Sequence, residues 1–388
     1  MVLKMRYMAL ALAAFGSSLC AQTPAEDFAK LKELADKMGG MRQAPPADPE
    51  KRAELQKLSR ELMTQTNQFA EKHLAGALSD ELAKLLVEAD GSPMLRSLID
   101  KAVEHGFESG HAEAALTAIE TLAKNGLSAE SQKRLGGAKA IALFAAGKDD
   151  EALKLAKDAA EAAGKGGLKS LDIAAAILAA RGAYDEARAL FDAYAGAHGG
   201  DERSAYQYES KRSMIGKPAP EIGIQTWIGP KGAEHAGFEG LAALKGKVAV
   251  LDFWQTWCPP CRAVMPGLSK AQERLAAHGV QFLGLCWKDG RPGYDWAKQA
   301  AVAKEEIEGD KYPAHVAKFS ADMGLAYVCG IAETRANNEA YKVQGIPTLV
   351  IVDAQGNVAW ITIGGGLGME ALIEALCGRL AKRGAVAR

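Results

Sequence analysis

The pattern of apolar positions changes near residue 214. From residue 22 to about residue 210, Ala and Leu recur at helical spacing among Glu and Lys, with few β-branched residues. This predicts an all-α region. The segment Arg-Gln-Ala-Pro-Pro-Ala-Asp-Pro at 42–49 breaks it, and Asp48 and Pro49 then offer an N-cap and a first-turn proline for a long helix. Ser79 and the pair Ser92-Pro93 mark further helix starts. After Gly216-Lys217-Pro218-Ala219-Pro220 the β-branched residues and period-two alternation return. Strands are predicted near 222–227, 247–253, 280–286, 348–353 and 357–362. Helices are predicted near 259–278, 294–309, 313–324, 333–342 and 368–382. The chain thus reads as an all-α helical-hairpin domain, residues 22–210, followed by an α/β domain, residues 214–384, with a central mixed sheet flanked by helices.

Within the helical part a repeat is visible between residues 137 and 198. Gly147-Lys148-Asp149-Asp150-Glu151-Ala152 and Gly182-Ala183-Tyr184-Asp185-Glu186-Ala187 lie 35 residues apart, each after an Ala/Leu-rich helix. This resembles tetratricopeptide hairpins, whose period is about 34 residues. Two uses are open: a curved surface that holds a protein partner, or a self-contained helical bundle.

The first 21 residues read as a bacterial-type secretory signal. Lys4 and Arg6 precede a short apolar run at 7–15, then small residues, with cleavage after Ala21. The run is too short to span a bilayer. The expectation is an exported, periplasmic, soluble protein. A lipid anchor at Cys20 fits less well, because Leu19 stands where a small residue is wanted. A net charge of −1 gives no reason to expect nucleic acid or an anionic membrane surface as partner. The 48% hydrophobic content excludes a disordered chain.

The chemistry concentrates at Cys258-Pro259-Pro260-Cys261. The motif sits between an apolar run at 247–254 and a helical stretch that starts near Arg262. A cysteine at a helix N-terminus faces unpaired N–H groups and the positive end of the dipole. Both favour the thiolate, the form that attacks disulfides. The second cysteine, one turn on, can resolve a mixed disulfide. Pro259 and Pro260 suit a first turn, where an N–H would have no helical partner. Cys258 is therefore the candidate nucleophile and Cys261 the candidate resolver. Thiolate stabilisation alone gives little rate: a pKa lowered from about 8.5 to about 7 gains only about threefold once the loss of nucleophilicity is counted. Its larger effect is on redox poise.

Half of a zinc site is the alternative, but Cys20, Cys286, Cys329 and Cys377 are isolated and no histidines pair at ligand spacing. No metal is expected. Cys286 and Cys329 each end an apolar stretch and could meet, or stay as free buried thiols. Cys377 reads as core on the last helix. Asp252 is the second chemical residue, since a carboxylate in a core strand is costly unless paired or neutral. Its pKa should rise, which suits proton exchange with Cys261; the alternative is a solvated strand edge.

Taken together, several motifs resemble the TlpA/ResA group of exported thioredoxin-like thiol–disulfide oxidoreductases. They are residues 216–220, Leu244-Lys245-Gly246-Lys247-Val248, residues 252–262 with Met265-Pro266, Val343-Gln344-Gly345-Ile346-Pro347-Thr348, and Asp353-Ala354-Gln355-Gly356. The resemblance covers roughly residues 214–384. It implies a thioredoxin-like fold, no cofactor beyond a redox-active Cys258–Cys261 pair, and a cis Pro347 packed against the cysteines. Ile346 would then present its backbone beside Cys258 for pairing with an extended substrate chain, with Trp257 shielding the site and Thr348 opening the next strand. It further implies disulfide-containing protein substrates and a membrane thiol carrier that restores the dithiol.

Two departures stand out. Val264 occupies a position where the group often carries Glu, which leaves the acid–base role to Asp252. The separation of Cys286 from Pro347 is long, so a helical insert is expected near 287–325, with Trp287, Tyr294, Trp296 and Tyr312 as either a partner-selecting lip or pins to the core. Protein-disulfide reduction is the leading function. A helical-repeat binding or scaffold protein with an accessory redoxin domain is one alternative. A thiol peroxidase is the other, weakened by Thr256 lying two rather than three residues before Cys258.

Overall fold

A computed structural model of the chain describes residues 22–42, 48–108, 112–198, 202–234, 240–289, 294–295, 300–301 and 307–386. The expected signal segment, most of the 42–49 break, the side chain of Tyr294 and Trp296 lie outside them. The chain forms two compact units, Met1–Lys101 and Ala102–Arg388.

In the first unit, α1 (Pro24–Arg42) and α2 (Pro49–His73) pack along Phe28, Leu31, Leu58, Leu62 and Phe69, followed by α3 (Asp80–Asp90). Asp48 caps α2 by accepting from Glu50 N at 2.9 Å, and Ser79 caps α3 by accepting from Leu82 N at 3.2 Å. Both caps are those the sequence predicts. The helix α4 (Ser97–Glu108) follows.

The second unit holds α5 (Ala112–Lys124), α6 (Ala129–Arg134), α7 (Gly136–Ala145), α8 (Asp149–Ala163), α9 (Leu168–Ala180), α10 (Tyr184–His198) and α11 (Glu202–Met214). The repeat corresponds to the hairpins α7–α8 and α9–α10. Gly147 and Gly182, 35 residues apart, both take positive φ (82° and 78°). Each is followed by a residue whose N–H closes the preceding helix: Lys148 to Leu143 O and Ala183 to Leu178 O, both 2.9 Å. This is the glycine C-cap that a left-handed turn requires.

The α/β part runs β1 (Thr226–Ile228), β2 (Val248–Phe253), α12 (Pro259–Leu275), β3 (Val280–Trp287), β4 (Tyr294–Asp295), β5 (Ala300–Ala301), α13 (Tyr312–Asp322), β6 (Val328–Ala332), α14 (Ala336–Ala340), β7 (Thr348–Val352), β8 (Val358–Ile363) and α15 (Met369–Val386). Six strands form one mixed sheet in the order β1-β6-β3-β2-β7-β8. The pairs β2–β3 and β3–β6 are parallel; β1–β6, β2–β7 and β7–β8 are antiparallel. A central strand buried on both faces explains why β2 reads as a continuous apolar run. The helices α12 and α15 pack together on the sheet.

The structure revises three expectations. Residues 294–295 and 300–301, placed in a helix at 294–309, form a short antiparallel ladder instead; cross-strand pairing overrides the helical preference of alanine. The strand predicted at 222–227 is confined to β1, although Gln225 N already bonds Ile331 O at 2.9 Å. The strand β6 has no counterpart in the sequence reading, because five residues with a central glycine give little periodicity.

The composition change at 210–214 is not a gap in packing. The helix α9 covers β8, while α7 and α9 both pack on α15, so the inner helices of the two hairpins lie against the sheet layer of the same unit. Residues 171–180 of α9 are all buried.

Candidate active site

The strand β2 carries the chain from the sheet core to the loop at 254–257, and α12 begins at once. Cys258 is its N-cap, with extended backbone, and Cys261 N–H points to Cys258 Sγ at 3.2 Å. Pro259 and Pro260 occupy the first turn and are exposed. The two cysteines are joined by a disulfide, Cα–Cα 5.3 Å apart. Both are nearly inaccessible, Cys258 at 3% and Cys261 at 0%.

The loop before β7 meets them. The Ile346–Pro347 peptide bond is cis, and Ile346 O lies 3.8 Å from Cys258 Sγ. Pro347 is buried and its carbonyl accepts from Gly364 N at 2.7 Å. Thr348 opens β7, is buried, and donates Oγ1–H to Gly345 O at 2.6 Å. The cis bond before Pro347 thus directs the Ile346 carbonyl toward Cys258 Sγ.

Side chains fix the loop before Cys258. Gln255 is fully buried, donates Nε2–H to Trp287 O at 2.8 Å and accepts from Tyr312 Oη–H at 2.6 Å. Trp257 is half-buried and donates Nε1–H to Asp289 Oδ2 at 2.9 Å. Arg262 donates to Thr256 O at 2.8 Å. Trp287 and Tyr312 are themselves buried, and Gln255 ties the active-site loop to the Trp287 backbone carbonyl and to the Tyr312 hydroxyl. The sequence carries no signal for Gln255 and Asp289 as braces, because nothing in a lone amide or acid marks that role until the fold brings Trp287, Tyr312 and Trp257 to them.

Asp252 lies in β2, 1% exposed. Tyr327 donates Oη–H to its Oδ2 at 3.1 Å, and Oδ1 has no protein partner. Burial pushes the carboxyl up to about 7, opposed by the tyrosine hydrogen bond. The solvated-edge reading therefore fails, and the raised pKa is the one expected of a carboxyl in a core strand.

Cys286, Cys329 and Cys377 are free and buried. Burial raises all three thiols, Cys329 to about 12. Among the described residues, no group of three or more His, Cys, Asp or Glu is placed to hold a metal ion.

A buried, helix-capping cysteine pair next to a cis-proline loop, on a mixed sheet in which β2 lies between a parallel and an antiparallel neighbour, defines a thioredoxin-fold thiol–disulfide oxidoreductase with the cysteine pair as its active site. Residues 234–372 match the Redoxin family. Thioredoxin-like protein YneN of Bacillus subtilis is 28% identical over 162 residues, covering 41% of this chain and 79% of that protein. Thiol-disulfide oxidoreductase ResA of Bacillus thuringiensis is 26% identical over 156 residues, covering 40% and 73%. Among solved structures, a thioredoxin-family thiol:disulfide interchange protein from Chlorobium tepidum aligns with a TM-score of 0.32 and 23% identity, covering 42% of this chain and 96% of that one. The similarity to Redoxin and ResA-type proteins falls in the C-terminal part, which a helical extension precedes in this chain.

Proposed function

We propose that the protein is an exported protein-disulfide reductase. Cys258 Sγ attacks a substrate disulfide, forming one Cys258–substrate S–S bond and releasing the other substrate sulfur as a thiol. Cys261 then loses its proton to the Asp252 carboxylate through water and attacks Cys258 Sγ. The mixed disulfide breaks, the Cys258–Cys261 bond forms, and the second substrate sulfur leaves with the electron pair and takes a proton. The substrate gains two electrons and the dithiol is oxidised.

The observation that carries this reading is Ile346 O, 3.8 Å from Cys258 Sγ. An extended substrate chain can bond that carbonyl through its backbone N–H and bring its sulfur to Cys258, whatever its side chains. Pro347 and Thr348 hold the loop, and Trp257, Pro259 and Pro260 border the approach. The charged and apolar pattern at 1–21 supports export, and a membrane thiol carrier would return the electrons. No described helix is long and apolar enough to cross a membrane.

A Cys261→Ser variant should accumulate a mixed disulfide with a protein substrate through Cys258, and Cys258→Ser should abolish reduction. A reduction potential near about −120 mV, that of a strong oxidant, would overturn the reductive direction.

A further inference from the structure

We propose that Tyr327 is a positioning residue for the resolving step: its hydroxyl holds Asp252 as a carboxylate at the moment Cys261 must give up a proton. The proposal rests on Asp252 as the proton acceptor, and extends it to a residue outside the cysteine loop and the cis-proline loop.

The geometry begins at Gly284, the β3 residue paired with Asp252 on β2 and with Cys329 on β6. A Cβ there would stand 2.7 Å from Trp254 Nε1, 3.0 Å from Cys329 Sγ and 3.2 Å from Tyr327 Cε2. Three side chains therefore converge on space that only glycine leaves free. Through this gap the Tyr327 ring, 0% exposed and just ahead of β6, reaches across β3 to Asp252 on β2. Its hydroxyl meets Oδ2, which leaves Oδ1 as the open acceptor.

Other groups around the carboxylate do not compete for this role. The strand β3 offers Gly284 and Cys286, β6 offers Cys329, β7 pairs Leu349 with Asp252, and α12 carries the cysteine pair. None of these is a cation, and α15, which also packs on β2, turns its Arg379 to Asp149 and its Arg383 to the Tyr184 hydroxyl. Both free thiols are pushed up by burial, Cys286 well above its usual range, so they stay protonated through neutral pH. The tyrosine hydrogen bond is what opposes burial and draws Asp252 back toward ionisation. A hydrogen bond to a charged acceptor is stronger than one to a neutral acceptor, so it favours the carboxylate.

The test measures the single-turnover rate at which the reduced full chain is oxidised by a saturating protein disulfide, from about pH 5.5 to 9, a range that brackets the expected transition. The wild type, Tyr327→Phe, Asp252→Asn and the double variant are compared, together with a chain carrying 3,5-difluorotyrosine at position 327. The wild-type rate should rise with the ionisation of Asp252. In Tyr327→Phe the midpoint should move alkaline by about one unit. The fluorinated phenol, a stronger donor that keeps the ring, should move it the opposite way, and this readout stands even if the Phe variant does not fold. In the Asp252→Asn background Tyr327→Phe should change nothing further. If Asp252→Asn removes the transition but neither change at 327 moves it, the role of Tyr327 is overturned while Asp252 stands. If Asp252→Asn leaves the transition in place, the proposal falls with the assignment of Asp252.

Discussion

Lys211 Nζ lies 2.5 Å from Asp172 Oδ1, and both side chains are at most 3% exposed. The same Asp172 accepts from Thr362 Oγ1 at 2.9 Å, and its backbone carbonyl accepts from Trp360 Nε1 at 2.7 Å. One residue of α9 thus joins α11 to β8 through a buried polar node, with Lys211 also over the Phe191 ring at 5.4 Å. The helical layer from residue 102 onward is built into the redoxin sheet.

Removing the cation should therefore be severe. In Lys211→Met the Asp172 carboxylate would keep Thr362 and the nearby Lys169 charge but lose its direct, buried ion pair. Breaking a buried pair from one side costs about 3–5 kcal/mol. Urea unfolding of the full chain should show a loss of that order, whereas Lys154→Met, at an exposed i,i+4 pair with Asp158, should be near neutral. Equal midpoints for the two variants would refute the node.

The same packing predicts the fate of a shortened chain. A fragment of residues 214–388 keeps every active-site residue but uncovers Trp360 and the face of α15 that α7 and α9 cover. Fully burying an aromatic or large aliphatic side chain is worth about 1.5–3 kcal/mol each. The fragment should bind a hydrophobic dye and be cleaved faster by protease than the full chain. A dye-silent fragment with an unchanged Tm would show that the helical layer is dispensable to the redoxin fold.

Much of this was legible in the sequence, for reasons that are local. Cys258 at a helix cap depends on residues within one turn, and the Asp252 shift depends on an apolar strand around one carboxyl. The period-35 glycines at Gly147 and Gly182 likewise need only the chain beside them. What was not legible is long-range. Asp172 and Trp360 are 188 residues apart, and Asp172 reads as an ordinary helical acid until β8 is laid against it. Tyr327 meets Asp252 across an intervening strand, which no periodicity reports. The composition change near 210–214 marks a change of secondary structure, whereas the packing of α9 on β8 and of α7 and α9 on α15 across it is long-range and leaves no mark on composition.

The brace on the active-site loop gives a third expectation. Tyr312 Oη donates to Gln255 Oε1 at 2.6 Å where both side chains are buried. Tyr312→Phe keeps the ring and strands that oxygen. An unsatisfied buried acceptor costs about 1–3 kcal/mol. Stability should fall by that amount, and protein-disulfide reduction should fall with it, because Gln255 lies three residues before Cys258. Loss of stability with unchanged turnover would show that the loop does not need this support.

The last expectation concerns pH and follows from Asp252. Its folded pKa, about 7, is raised from an ordinary value of 3.8 by burial. The folded state therefore holds this proton more tightly than the unfolded chain. The stability this contributes is fully present below the unfolded pKa and is lost as pH rises through the folded one. About three units correspond to at most about 4 kcal/mol between pH 4 and pH 8. Asn at 252 has no proton to lose, so whatever its fixed cost, its stability relative to the wild type should improve steadily across that window. Urea midpoints of the oxidised wild type and Asp252→Asn, taken at each pH, measure the difference directly. A constant gap from pH 4 to pH 8 would mean that Asp252 ionises as readily inside the sheet as outside it, and that its ionisation is not what sets a rate transition near neutral pH.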